Sequence, residues 1–302
     1  MGTGGPWHYG SGEDGALHFD GAATILGMVP VANVYTMPTP SGASGRGNIN
    51  ATSIIIDAGV TLRMQNWNLY CTGNTQINGA ITCNGGDSPG GAVGTAGAGV
   101  PVGYWGASLA GALGATNIAA ATTQGSSMCF GDTGLSGSNT VGGGRPGAIS
   151  LANPPPNNAG GAAIGFLLAQ AVMGCFRNGG GSAPMTAFQA GCGGASGAGG
   201  GGTPASGGGG AAGLMFLGSN TISGNGTITL KGGNAGLSTG GNNGGSNGGS
   251  GGCLWVATST INYQSLITVS VAGGTGSAGN GLGINGSNGG SGRIINFWMF
   301  PQ

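Results

Sequence analysis

Apolar and polar positions alternate with a period of two over several short stretches of the chain. Between Ser53 and Met64, Ile54 and Ile56, then Val60, Leu62 and Met64, take alternate positions around Asp57-Ala58-Gly59. That pattern predicts two short strands joined by a turn. The run from Arg293 to Phe300, Arg-Ile-Ile-Asn-Phe-Trp-Met-Phe, predicts a last strand. Its apolar side chains need cover from the chain's own core or from a neighbouring subunit. Helical periodicity is nearly absent. The best helical candidate is Ala162 to Phe176, and Gly165 and Gly174 inside it make a buried strand an equal reading.

Three segments share one pattern: 68–86, 214–233 and 254–274. Each reads as an apolar strand, a polar turn, a Thr-Ile or Gln-Ile step, another turn, a short alternating strand and then Gly-Gly. Ile77/Ile81, Ile222/Ile228 and Ile261/Ile267 hold matching places. Glycine tracts lie beside the repeats, at 191–213, 232–252 and 273–292. Such tracts read either as flexible linkers or as extended polyproline-II strands. Without Cβ atoms, strands of the second kind can pack closely and bond to one another. Recurrence at one place in each repeat favours the packed reading, and the absence of a Gly-X-Y period excludes collagen. The pattern predicts an all-β fold of glycine-rich β-helix or solenoid-like repeats with polyglycine-II tracts.

Residues 1–47 differ from the rest, holding both histidines, three of the six acids and Pro30, Pro38 and Pro40. They read as a separate N-terminal attachment segment, followed by a glycine-rich β-repeat domain over 48–302. Within that domain 93–160 is an irregular insertion, ending near the extended Pro154-Pro155-Pro156 run.

Composition narrows the function. Glycine supplies 77 of 302 residues, charged residues are 4%, and the formal net charge is zero. Phosphate binding needs a field of cations, and five scattered arginines with the single lysine, Lys231, do not make one. Nucleic-acid binding and electrostatic membrane attachment are therefore not expected. With so little charge repulsion an isolated monomer would be poorly soluble, so a homo-oligomer is expected, with a trimer as the favoured state. No apolar stretch reaches the ~18 residues of a membrane-crossing helix. The start of the chain lacks the basic and apolar regions of a secretory leader, which suggests maturation in a cytoplasm.

Candidate chemistry is sparse. Cys71, Cys83, Cys129, Cys175, Cys192 and Cys253 form no CxxC pair, and His8 and His18 are the two histidines, so no metal site is expected. Free buried cysteines are the plain reading and late disulfides the alternative. At this glycine content a GxGxxG match carries no weight. The phosphate-loop pattern fails because Gly232 follows Lys231. Gly248-Gly-Ser-Gly-Gly252 lacks the strand-to-helix setting of a nucleophile elbow. Outside the N-terminal segment the carboxylates are Asp57, Asp87 and Asp132, all in turn-like contexts where Asp bonds its own backbone. The chain is thus expected not to be an enzyme and to hold no cofactor. Glycine tracts with Asn and Ser in place of Asp argue against regular calcium binding. Exposed aromatics anchor interfaces and stack on sugars, which makes Tyr104 and Trp105 the candidate partner contacts. Trp7, His8 and Tyr9 are the candidate attachment residues.

Gly10-Ser-Gly-Glu-Asp-Gly-Ala-Leu-His-Phe-Asp-Gly21, Asn74-Thr-Gln-Ile-Asn-Gly-Ala-Ile-Thr-Cys-Asn-Gly-Gly86 and the long glycine tracts together resemble glycine-rich virion proteins of tailed bacteriophages. These are tail-fibre, adhesin and head-decoration proteins. The resemblance implies a β-helix-like or stacked-turn trimer without catalytic residues, located in the virion after assembly in the host cytoplasm. It implies contacts with other virion proteins, through 1–47 as the virion-attachment segment, and with a host-surface glycan. The expected function is a tail-fibre adhesin, with capsid decoration as the alternative. An extracellular structural or ice-binding protein is the second alternative, weakened because Thr-x-Thr spacing, as in Thr227-Ile-Thr229, does not recur as a regular flat array.

Overall fold

The computed structural model describes residues 9–38, 48–89, 96–101, 108, 110–111, 207–237, 245–280 and 285–298. Short alternation produces short strands. Those on the early part of the chain are β1 (Ala16–Phe19), β2 (Val34–Thr36), β3 (Ile49–Ala51), β4 (Ser53–Ile56), β5 (Thr61–Arg63), β6 (Leu69–Ile77) and β7 (Ala80–Thr82). The later ones are β8 (Leu214–Gly224), β9 (Thr227–Thr229), β10 (Cys253–Thr258), β11 (Thr268–Ser270) and β12 (Arg293–Trp298), with one short helix, α1 (Tyr263–Leu266). They form two sheets. The first has the order β1-β4-β6-β8-β10-β12, with β3 also on β6; the second has the order β11-β9-β7-β5-β2. Every strand pairing in both sheets is parallel.

The strands around Asp57-Ala58-Gly59 are present, but they do not pair with each other. The Val60 N–H donates to the Asp57 carbonyl at 3.0 Å, and Gly59 takes φ +80°, a backbone state that glycine reaches without steric cost. This tight turn moves the chain from the first sheet to the second. β4 then pairs with β1 and β6, and β5 with β2 and β7.

Parallel in-register pairing stacks like residues into rows. Phe19, Ile56 and Ile77 are neighbours across the first sheet. Tyr35, Leu62, Ile81, Ile228 and Val269 are neighbours across the second. The two sets face one another in one core, where the Phe19 and Tyr35 rings meet edge to face at 5.0 Å. Burying a large apolar side chain contributes roughly 1.5–3 kcal/mol, so these rows are the main source of stability.

The glycine tracts of the described residues are ordered by backbone hydrogen bonds rather than by side chains. Gly210 donates to Gly86, Gly233 to Gly210, Gly249 to Gly233, Gly274 to Gly249 and Gly289 to Gly274, all at 2.8–2.9 Å. A Cβ on Gly210 would run into the carbonyl of Ala98.

The expected all-β, glycine-rich β-helix is not the architecture found. The described residues form an α/β arrangement of two parallel sheets and a short helix, closed by long-range pairing. Two departures carry the difference. The middle of the third repeat is α1, not a strand, and its Ile261 is 61% exposed while the matching Ile77 and Ile222 are buried. The sheets also join segments far apart in the chain, because β6 pairs directly with β8, bringing Leu69 beside Leu217. Ala162–Phe176 and nearly all of 93–160 lie outside the described residues.

Candidate functional site

The two ends of this stack of strands differ. At the chain-early end, where β1 and β2 are the outermost strands, Leu17, Phe19, Met28 and Tyr35 are all buried. The cover is the segment between β1 and β2. It holds two successive tight turns, Ile25–Met28 and Val31–Val34, each closed by a reciprocal pair of backbone hydrogen bonds at 2.8–3.1 Å. Their central residues all have positive φ: Leu26 at 51°, Gly27 at 79°, Ala32 at 51° and Asn33 at 62°. That is the geometry of hairpin turns of the primed type. It costs Leu26 and Ala32 about 1–2 kcal/mol each, so the surroundings must hold them.

Asp20 and Tyr35 anchor the start of this segment, at Gly21 to Ala23. The Asp20 carboxylate accepts hydrogen bonds from the N–H groups of Ala22 and Ala23, both at 2.8 Å. The Tyr35 hydroxyl lies 2.9 Å from the Ala23 carbonyl and 3.1 Å from Asp20 Oδ1, and it accepts from the Gly21 N–H at 3.1 Å. Donation from Ala23, then Ala22, with a smaller contribution from the Tyr35 hydroxyl, lowers the Asp20 pKa to about 2. The Tyr35 hydroxyl is pushed up, first by burial and then by Asp20.

Between this cover, β2 and β5 lies a cavity of about 470 Å³, lined by Leu26, Met28, Val29, Val31, Pro38 and Arg63 among others. Val29 is 66% and Val31 74% exposed. Arg63 projects from β5 beside Thr36 of β2.

The chain-late end has no such cover among the described residues. Ile294, Ile295, Asn296 and Phe297 of β12 are half-buried, and Val269 and Val271 are partly buried against the core. The Arg293 N–H donates to the Gly252 carbonyl at 3.0 Å, so Arg293 faces β10. Backbone groups of successive residues in a parallel strand point to opposite sides. The N–H and C=O of Ile294 and Asn296 therefore point away from β10. The Asn296 side chain accepts a hydrogen bond from the Tyr263 hydroxyl at 2.7 Å.

The residues singled out from sequence fall as follows. Tyr104, Trp105, Trp7, His8 and Asp132 lie outside the described residues. Tyr9 is buried, and burial raises its hydroxyl pKa. Asp57 and Asp87 act across the fold, not within their own turns. Asp57 pairs with His18 at 2.9 Å on the exposed surface, and Asp87 accepts the Asn234 N–H at 2.6 Å. The two are not brought together as a catalytic pair by any contact of the described residues. No group of three His, Cys, Asp or Glu able to hold a metal occurs among the described residues. Cys71, Cys83 and Cys253 are free and buried.

Sequence reasoning missed the cover and its cavity. Its signal was present: Leu26-Gly27 between Ile25 and Met28, and Ala32-Asn33 between Val31 and Val34, are two-residue turn candidates between apolar neighbours. It also missed Asn66. This fully buried residue sits at φ +64° and joins three segments. Its Oδ1 accepts the Leu214 N–H at 2.7 Å, and its Nδ2 donates to the Pro101 carbonyl at 3.0 Å.

No family model, curated protein or solved structure matches the chain. The resemblance to bacteriophage virion proteins is corrected accordingly. The fold is two parallel sheets with a short helix, and no relative or structure supports a tail-fibre, adhesin, capsid-decoration or ice-binding role.

Proposed function

We propose that the protein is a non-enzymatic protein that assembles with further copies of itself through its chain-late end. The observation that carries this reading is the contrast between the two ends. One end of the core is covered by the Gly21–Val34 segment. The other offers half-buried apolar residues and a strand whose outward backbone groups have no strand beside them among the described residues. An apolar edge strand of this kind is a ready template for pairing, and β12 carries one charge, Arg293, to discourage it. Because the opposite end is closed, the open end meets another open end. The contact is then isologous, β12 against β12 about a two-fold axis, which makes a dimer the basic unit in place of the trimer favoured from composition. A formal net charge of zero removes long-range repulsion between copies.

The non-enzymatic part is supported by how the described carboxylates are used. Asp14 accepts the Asn50 N–H at 2.7 Å, Asp20 holds the cover, Asp57 pairs with His18 and Asp87 bonds the backbone of Asn234.

The test is the solution mass of the full chain by size exclusion with light scattering, for wild type, Asn296→Pro and Asn296→Ala. Proline at 296 removes the N–H that points outward and leaves those that face β10. Alanine keeps that N–H and loses the side-chain contact with Tyr263. An even-numbered oligomer for wild type and Asn296→Ala, with a folded monomer for Asn296→Pro, is expected. A wild-type monomer at tens of micromolar, or an Asn296→Pro mass equal to wild type, refutes the proposal.

A further inference from the structure

The cavity beneath the cover points to a second, independent property. Leu26, Met28, Val29, Val31 and Pro38 form its apolar side, and Thr36 and Arg63 give it a polar side. Its volume of about 470 Å³ is within the ~300–1,000 Å³ of small-molecule sites. At its edge stands one cation, Arg63, whose guanidinium has no hydrogen bond or ion pair with any described residue. A planar guanidinium matches a carboxylate in a two-point, charge-assisted contact. A single cation beside an apolar wall suits one negative charge attached to an alkyl chain, and falls short of what a phosphate dianion needs. Leu26 on this wall holds left-handed backbone, and strain of that kind is concentrated at sites that bind. Two valines more than half exposed beside the opening are a further departure from an ordinary polar turn surface.

We propose that this cavity binds a short aliphatic carboxylate, with its alkyl chain between the two turns of the cover and its carboxylate on Arg63. The site belongs to the chain-early end, so it stands or falls separately from assembly through β12. Tail burial supplies most of the affinity, and Arg63 supplies preference for an anion over a neutral or cationic head.

The experiment uses the full chain labelled at methionine methyl groups, titrated with octanoate, octanol and octylammonium, with isothermal calorimetry in parallel. Octanoate is expected to shift the Met28 methyl resonance and to bind at least about tenfold more tightly than octanol. Arg63→Gln should remove that preference while leaving octanol binding unchanged. Val31→Asn, at an exposed position, should weaken both ligands together. Absence of a Met28 shift at millimolar octanoate overturns the proposal. So does octanoate binding that Arg63→Gln leaves intact, equal binding of octanol and octanoate by wild type, or octanoate and octanol binding that Val31→Asn leaves unaltered.

Discussion

Replacing Asn66 by Ala should be among the most damaging single substitutions in the molecule. Three contributions add. The Leu214 N–H, buried and bonded at 2.7 Å, loses its acceptor; an orphaned buried donor costs about 1–3 kcal/mol. The Pro101 carbonyl, bonded at 3.0 Å, also loses its partner. It is partly accessible, so water recovers some of the loss and about 1 kcal/mol is the fair figure. Finally Asn66 sits at φ +64°, where Asn is tolerated and Ala costs about 1–2 kcal/mol. The total is roughly 3–6 kcal/mol, against the ~5–15 kcal/mol by which domains are usually stable. The assay is urea unfolding followed by circular dichroism, with the midpoint falling at constant slope. Asn66→Gly separates the causes, since it orphans the same groups but accepts the left-handed backbone. It should be less destabilising than Asn66→Ala by about 1 kcal/mol. A loss below about 1 kcal/mol for Asn66→Ala would refute the reasoning, because it would mean that the three segments do not depend on this side chain.

Two further outcomes follow from the described geometry. Asp20 is held at a pKa of about 2 by the N–H groups of Ala23 and Ala22, below its usual 3.8. Its contribution is therefore complete above about pH 4 and is lost as pH falls through about 2. Acid unfolding curves of Asp20→Asn should lack that dependence, and a curve identical to wild type between pH 4 and 2 would contradict it. Burial pushes the Cys83 and Cys253 thiols up to about 12, so neither should react with iodoacetamide at pH 8 in the native protein. Peptide mass mapping would show both modified only after denaturation, and native modification of either would exclude its buried placement.

The sequence disclosed strands more readily than their partners. The alternation of Ile54, Ile56, Val60, Leu62 and Met64 predicts two strands, and all five side chains are buried. Alternation specifies which face a side chain takes, but not which strand lies beside it, so two consecutive strands looked like one pair although each belongs to a different sheet. Ile261 had the right spacing from Ile267 and still ended up exposed, just ahead of α1, where the third repeat forms a helix in place of a strand. Bonding between glycine tracts was legible, but a backbone lattice such as Gly86–Gly210–Gly233 leaves no side-chain pattern to say which tract meets which. The role of Asn66 was equally invisible. Its partners, Pro101 and Leu214, are far away in the chain, and an Asn beside Gln65 reads as an ordinary turn residue. The cover was partly legible through its two-residue turns. Arg63 became informative only when β2 and β5 were known to lie side by side.

The direct pairing of β6 with β8 has a consequence for synthesis. Asn68 bonds the backbone of Phe216 across a separation of 148 positions. At roughly 5–20 residues per second, a ribosome needs about 7–30 s to cross that interval. Throughout it, the strands up to β7 can be in place while β6 and β7 offer unfilled parallel edges. Parallel pairing between distant segments is slow even once both are available. On a crowded message, several such half-sheets wait near one another with the same vacancy. The nascent β8 of one chain then competes with that of its neighbour for each waiting edge.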